Sequence, residues 1–184
     1  MAFHTYPLER AEALEDQSRY RFCSREELLG ALDPSPTDVV ADLGSGTGFY
    51  TDDVAPFVEQ CYAVDVQAGM HEFYRQKGIP GNVTPLTAAV DSMPLENGEL
   101  DAAFTTMTYH EFSTPAALEE VRRVLTDDGL LVVVDWSSDG GGEEGPSLDE
   151  RFNLNVAREQ LTDAGFTEID GRTRPETFIL VVRT

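Results

Sequence analysis

Five apolar runs, DVVADL, QCYAVDV, NVTPLTAAV, LDAAFTTM and GLLVVVDW, recur between Asp38 and Trp136. Each is nearly continuous in apolar character, which is how strands buried on both faces of a parallel sheet read. Stretches of helical character lie between them, near Tyr50–Glu59, Ala68–Gln76 and Pro115–Leu125. The last has Thr114 placed as N-cap and Pro115 at the first helical position. Strand, helix, strand repeated in this way predicts an α/β fold, a doubly wound, mostly parallel sheet with right-handed crossovers and helices on both faces. Upstream, Ser24 followed by Glu27 has capping-box spacing and opens a helix with Leu28, Leu29 and Leu32 on one side, which Pro34-Ser-Pro36 stops. Downstream, a helix over Leu154–Ala164 runs into Gly165, placed as a C′ glycine. FTEIDGRT and TFILVVRT then flank Arg174-Pro175, a connection too short for a crossover, so they predict an antiparallel closing pair and seven strands in all. Residues 1–184 read as one domain, with 1–36 a helical N-terminal cap and 37–184 the core. SSDGGGEEG, Ser137 to Gly145, reads as a mobile loop.

Open sheets of this kind bind ligands beyond the carboxyl ends of their strands. The first strand ends in Asp42-Leu-Gly44-Ser-Gly46-Thr-Gly48, one residue short of the dinucleotide spacing G-x-G-x-x-G, with Phe49 where the third glycine belongs. Such a loop permits close backbone approach to a ligand. The second run carries Asp65, placed to accept ribose hydroxyls, and interrupts its apolar character to do so. Asp91 closes the third, followed by Ser92 and Met93, a set able to hold an adenine. From Asp38 to Tyr74 there is no lysine or arginine. A pyrophosphate beside unpaired carboxylates gains little, whereas an adenosine bearing a sulfonium and an α-amino group fits; that ligand is S-adenosylmethionine.

Acids outnumber bases 34 to 13, for a net charge of −21, with Lys77 the one lysine. So acidic a chain is a poor partner for nucleic acid or an anionic membrane surface. Spread over the whole length, the charge points to a halophilic proteome. No apolar run approaches the roughly 20 residues of a membrane span, and MAFHTYPLER lacks the regions of a signal peptide. The expectation is a complete, cytoplasmic chain. Cys23 and Cys61 read as buried free thiols, and His4, His71 and His110 are too scattered for a metal site.

The segments DLGSGTG, AVDV, VDSMPLENGELDAAF and LEEVRRVLTDDGLLVVVDW, in that order, resemble the motifs of class I S-adenosylmethionine-dependent methyltransferases. The resemblance is to the small-molecule branch that includes the ubiquinone and menaquinone biosynthesis enzymes. It covers Val39 to Trp136, with GPSLDERF and LTDAGF matching more loosely, and it implies a Rossmann-like sheet. It further implies backbone contacts to the methionyl part from Gly44, Ser45, Gly46 and Gly48, with Asp42 orienting the amino group directly or through water. Asp65 would hold the ribose and Val66 lie beside the adenine, held in turn by Asp91, Ser92 and Met93. Thr106 and Met107 would lie near the sulfonium.

A base is needed only if the acceptor loses a proton near the transition state. His110, in TYHEF, is the candidate, with Glu111 second. In the family a histidine here is also a structural or pocket residue. Asp135 and Trp136 end the fifth strand at the same edge, and Trp136 reads equally as core. His4 and Tyr6 resemble the N-terminal segment that caps the cofactor. The reaction implied is in-line methyl transfer to a small-molecule acceptor, by a monomer or homodimer. Two alternatives stand beside it: a non-catalytic S-adenosylmethionine-binding regulator or partner subunit, and a nicotinamide-dependent oxidoreductase.

Overall fold

The computed structural model describes residues 6–184. Its centre is a seven-stranded sheet built from β1 (Val39–Leu43), β2 (Gln60–Asp65), β3 (Val83–Thr87), β4 (Leu100–Thr106), β5 (Leu125–Trp136), β6 (Thr167–Thr173) and β7 (Thr177–Arg183). The order is β3-β2-β1-β4-β5-β7-β6. β1 to β5 run parallel, β7 is antiparallel to β5, and β6 is antiparallel to β7. The doubly wound sheet with its antiparallel closing strands is as the apolar runs predict.

Side chains alternate across the sheet and feed two cores. On one face Leu131 and Val133 join Leu118, Val121, Ala157 and Leu161, which come from α5 (Pro115–Val124) and α6 (Leu154–Asp163). On the other, Val132 and Val134 join Leu28 and Leu32 of α1 (Arg25–Leu32), Tyr50 and Val54 of α2 (Phe49–Val54) and Tyr74 of α3 (Ala68–Lys77). Each large side chain so buried contributes about 1.5–3 kcal/mol. Within the segment before residue 37, α1 packs into the second core through Leu28 and Leu32.

Local chemistry sets the helix ends. The Ser24 side chain accepts from the Glu27 N–H, but Glu27 itself turns away to pair with Arg174 at 3.0 Å, so the predicted capping box is half formed. Pro56 cannot continue an α-helix, and the expected Tyr50–Glu59 helix shortens to α2 and a 3-10 turn at Ala55–Phe57. At the end of α6 the Phe166 N–H reaches the Leu161 carbonyl and the Gly165 N–H that of Thr162, the Schellman closure expected of Gly165. Both cysteines are buried free thiols.

The 137–145 segment is pinned rather than free. The Glu176 carboxylate accepts from the Gly141 and Gly142 N–H groups. The buried Arg151 guanidinium donates to the carbonyls of Pro146, Ser137 and Glu144. Among the described residues no helix is long and apolar enough to cross a membrane, and no cluster of His, Cys, Asp and Glu forms a metal site.

Candidate active site

Strand order reverses between β1 and β4, and a cavity of about 810 Å³ opens there along the carboxyl edge. Along the edge it meets Val64 to Gln67 at the end of β2, Gly44 to Gly46 after β1, Thr106 to Thr108 and His110 to Phe112 at and beyond the end of β4, and Trp136 at the end of β5. Two 3-10 segments, Leu8–Glu15 and Gln17–Arg21, roof it and contribute Arg10, Leu14 and Arg19. Pockets for small molecules and cofactors span roughly 300–1,000 Å³, and this cavity falls within that range.

The glycine loop is arranged in an unexpected way. Gly44, Gly46 and Gly48 all have positive φ, of 77°, 53° and 82°. A Cβ on Gly44 would lie 2.4 Å from Thr108 and one on Gly48 2.2 Å from Tyr74, so these two glycines make room for the protein's own side chains. The loop amides are also engaged. Gly44 and Ser45 donate to the Val64 carbonyl, Gly46 to Asp65 Oδ2 at 2.8 Å, and Gly48 to the Ser45 carbonyl. The backbone donors that a pyrophosphate needs are therefore already used at these four positions.

Below the loop Asp42 is buried. Its Oδ2 accepts from the Thr51 hydroxyl at 2.6 Å, while Oδ1 has no partner, and neither has the buried Ser45 hydroxyl. Two orphaned polar oxygens under the loop fit a ligand that donates hydrogen bonds, directly or through water. Asp65 lines the cavity, Oδ2 held by Gly46 and Oδ1 by the Gln67 N–H at 2.8 Å, which leaves each oxygen able to accept a further hydrogen bond. Val66 is exposed at the same wall.

One expected group is not brought in. β3 stops at Thr87, four residues before Asp91, and the chain lines the cavity with Ala88, Ala89 and Val90. Asp91 and Ser92 face solvent, and Met93 is buried in the core with its N–H on Glu120. The apolar run outlasts the strand because Val90 and Met93 pack into the core after the ladder has ended.

Arg19 is the residue that sequence reasoning missed. It sits 4.9 Å from the Phe49 ring centroid and 5.1 Å from that of Tyr50, donating to the Leu14 carbonyl. Burial, the largest influence, depresses its pKa, and neighbours including Asp42 resist. No local pattern singles it out, since the rings it lies against are some 30 residues away and Arg10, Arg21 and Arg25 stand in the same stretch. Tyr6 also lines the cavity, and His4 lies outside the described residues.

At the β4 end, Met107 adopts a left-handed φ of 62°, uncommon for a non-glycine residue. That turn delivers α4 (Tyr109–Phe112) to the cavity. His110 Nδ1 lies 3.0 Å from both oxygens of the buried Asp135, which also accepts from the His110 and Trp136 backbone N–H groups. Nε2 is left toward Glu111, 4.0 Å away. For His110, burial acts downward and is the largest influence, but the Asp135 hydrogen bond and charge carry the pKa above its ordinary value. Burial pushes Glu111 up to about 7 and Asp42 up to about 7.

These raised groups predict a pH dependence. The native chain binds more protons than the unfolded one between pH of about 4 and about 7, so their contribution to stability falls as pH rises through that window. Thermal melts of the ligand-free protein should give a Tm at pH 8 below that at pH 5.5. Asp42→Asn should flatten the slope, and a Tm that climbs with pH would contradict the assignment.

A doubly wound sheet with such a cavity at its switch point, roofed by its own N-terminal segment, defines the Rossmann-like methyltransferase class. Residues 41–133 match the family described as a methyltransferase domain, and the chain belongs to that family. Its fold superposes on the crystal structure of a SAM-dependent methyltransferase from Aquifex aeolicus with a TM-score of 0.89 and 25% identity, covering 97% of this chain and 99% of that one. The uncharacterized methyltransferase YcgJ of Bacillus subtilis is 33% identical over 126 residues, 65% of this chain and 48% of that protein. A demethylmenaquinone methyltransferase of Mycobacterium sp. (strain JLS) is 30% identical over 115 residues, 62% and 48% respectively. The chain thus spans about half the length of these curated relatives. By family and fold it stands with the S-adenosylmethionine-dependent methyltransferases, and S-adenosylmethionine is the cofactor.

Proposed function

We propose that the protein transfers a methyl group from S-adenosylmethionine to a small-molecule acceptor held at the β4–β5 end of the cavity. The observation that carries this reading is the loop chemistry. Its amides at positions 44, 45, 46 and 48 are engaged, while the Asp42 and Ser45 oxygens beneath are without partners. Such a site accepts hydrogen bonds from a cation and offers little to a pyrophosphate.

When bound, the cofactor supplies an activated methyl on a sulfonium leaving group. Asp42 would orient its amino group directly or through water, and Arg19 would pair with its carboxylate. Gly44, Ser45, Gly46 and Gly48 shape the methionyl subsite as backbone. Asp65 holds the ribose, with Val66 on one side of the adenine and Ala89 and Val90 taking the place expected of Asp91, Ser92 and Met93. Thr106 and Met107 border the sulfonium. The single domain comprises the sheet, its helices and the N-terminal roof together.

His110 serves as general base through Nε2, with Asp135 fixing the tautomer at Nδ1 and stabilising the imidazolium. General-base catalysis is worth about 10²–10⁴-fold, so His110→Ala should lower turnover by that factor and leave cofactor affinity nearly unchanged. Because Asp135 raises the His110 pKa, the rate should rise with pH through neutrality, and Asp135→Asn should move that limb to lower pH. Equal turnover in His110→Ala and parent removes the base from the mechanism.

We also read the charge of −21 as a halophilic adaptation. At low salt the carboxylates repel one another with little screening. The Tm should therefore rise steadily with added salt up to molar concentrations; a flat series would count against it.

A further inference from the structure

Resting on that reading, we propose that the methyl acceptor is a small amine, cationic in solution, whose nitrogen is held by the Glu111 carboxyl and deprotonated at His110. The acceptor end of the cavity is lined by Phe22, His110, Glu111, Trp136 and Glu144. Among the described residues it has no guanidinium to spare for an anion. Arg21 is paired with Glu144, and Arg151 is tied to the carbonyls of Pro146, Ser137 and Glu144 and to Glu176. Arg19 lies against Phe49 and Tyr50, and Arg10 over the Tyr6 ring. A carboxylate or phosphate ester would meet the Glu111 and Glu144 carboxyls there.

Glu111 decides between the remaining classes. Its side chain is 25% exposed, it lines the cavity, and its charged neighbour is His110 Nε2 at 4.0 Å, beyond hydrogen-bond reach. A hydroxyl acceptor would need the histidine alone, and its oxygen would gain negative charge beside this carboxyl. An amine reverses the sign. The ammonium gives one proton to His110 Nε2, and the freed lone pair forms the carbon–nitrogen bond. The carbon–sulfur bond breaks with its electron pair passing to sulfur, and the methylated nitrogen leaves as an ammonium. Positive charge moves from sulfur to nitrogen, toward Glu111, where a placed carboxyl stabilises it. Phe22 and Trp136, with ring centroids 4.7 Å apart, give the acceptor's body an aromatic wall, with the Arg21 guanidinium 4.6 Å from the Phe22 centroid and that of Arg151 5.3 Å from the Trp136 centroid.

The test is calorimetric titration in molar salt with three probes of similar size: phenethylamine, phenethyl alcohol and phenylacetate. Saturation with S-adenosylhomocysteine comes first, and a parent that fails to bind it defeats the methyltransferase reading itself. With that complex formed, phenethylamine should bind at least tenfold more tightly than the alcohol, and phenylacetate most weakly. Glu111→Gln should abolish the amine's advantage while leaving the alcohol's affinity in place. Equal binding of amine and alcohol, preference for phenylacetate, no binding of any probe, or an unaltered preference in Glu111→Gln would each overturn the amine assignment and leave cofactor binding standing.

Discussion

Gly48→Ala is expected to destabilise the protein by about 2–5 kcal/mol, the sum of a left-handed backbone penalty of about 1–2 and an overpacking cost of about 1–3. Gly48 has φ 82°, and a Cβ there would sit 2.2 Å from the Tyr74 ring. The ring cannot step aside: Tyr74 is fully buried, its hydroxyl donates to Asp52 at 2.5 Å, and Lys77 lies over its face. For a chain of this length each kcal/mol lowers Tm by about 2–4 °C, so a drop of at least about 4 °C should be seen. Gly30→Ala is the control. Gly30 lies within α1 with nothing within 4 Å of its added Cβ, so it should gain about 0.5–1 kcal/mol. Equal melting of Gly48→Ala and the parent would refute the packing described.

The second large effect is at Asp65. Its carboxylate braces the glycine loop through Gly46 and leaves each oxygen able to accept a further hydrogen bond, as from a ribose hydroxyl. Hydrogen bonds to a charged group are worth about 1.5–3 kcal/mol each, and about 1.4 kcal/mol is a factor of ten. Asp65→Ala should therefore weaken S-adenosylhomocysteine binding at least tenfold, the more so because the Gly46 amide loses its acceptor. Asp91→Ala, outside the cavity and exposed, should bind like the parent. Titrating both variants checks the pair. If Asp91→Ala were the weaker binder, the cavity would be drawn one segment out of place.

The strands were legible because a parallel strand buried on both faces is written as an apolar run, and the runs of β1, β2 and β4 match within a residue. β3 was overread. Apolar residues that pack into a core after a strand has ended look no different from the strand, and that placed Asp91 at a strand end it does not occupy. Gly165 was legible because a C-cap is local; the Glu27 side chain was not, because its partner Arg174 lies far along the chain. The glycine loop was recognisable by spacing, yet the ownership of its amides depends on Val64 and Asp65 of a neighbouring strand. Arg19 and Asp135 act through contacts that exist only once the sheet is built. Three-dimensional pairing, rather than composition, supplies the acid–base half of the site.

The most direct measurement is calorimetric titration of the purified protein in molar salt with S-adenosylhomocysteine and, separately, with NADH. The account rests on a loop whose amides are engaged and whose buried oxygens await a donor, so it predicts saturable one-site binding of S-adenosylhomocysteine and no detectable heat from NADH. Binding of NADH without binding of S-adenosylhomocysteine would contradict it.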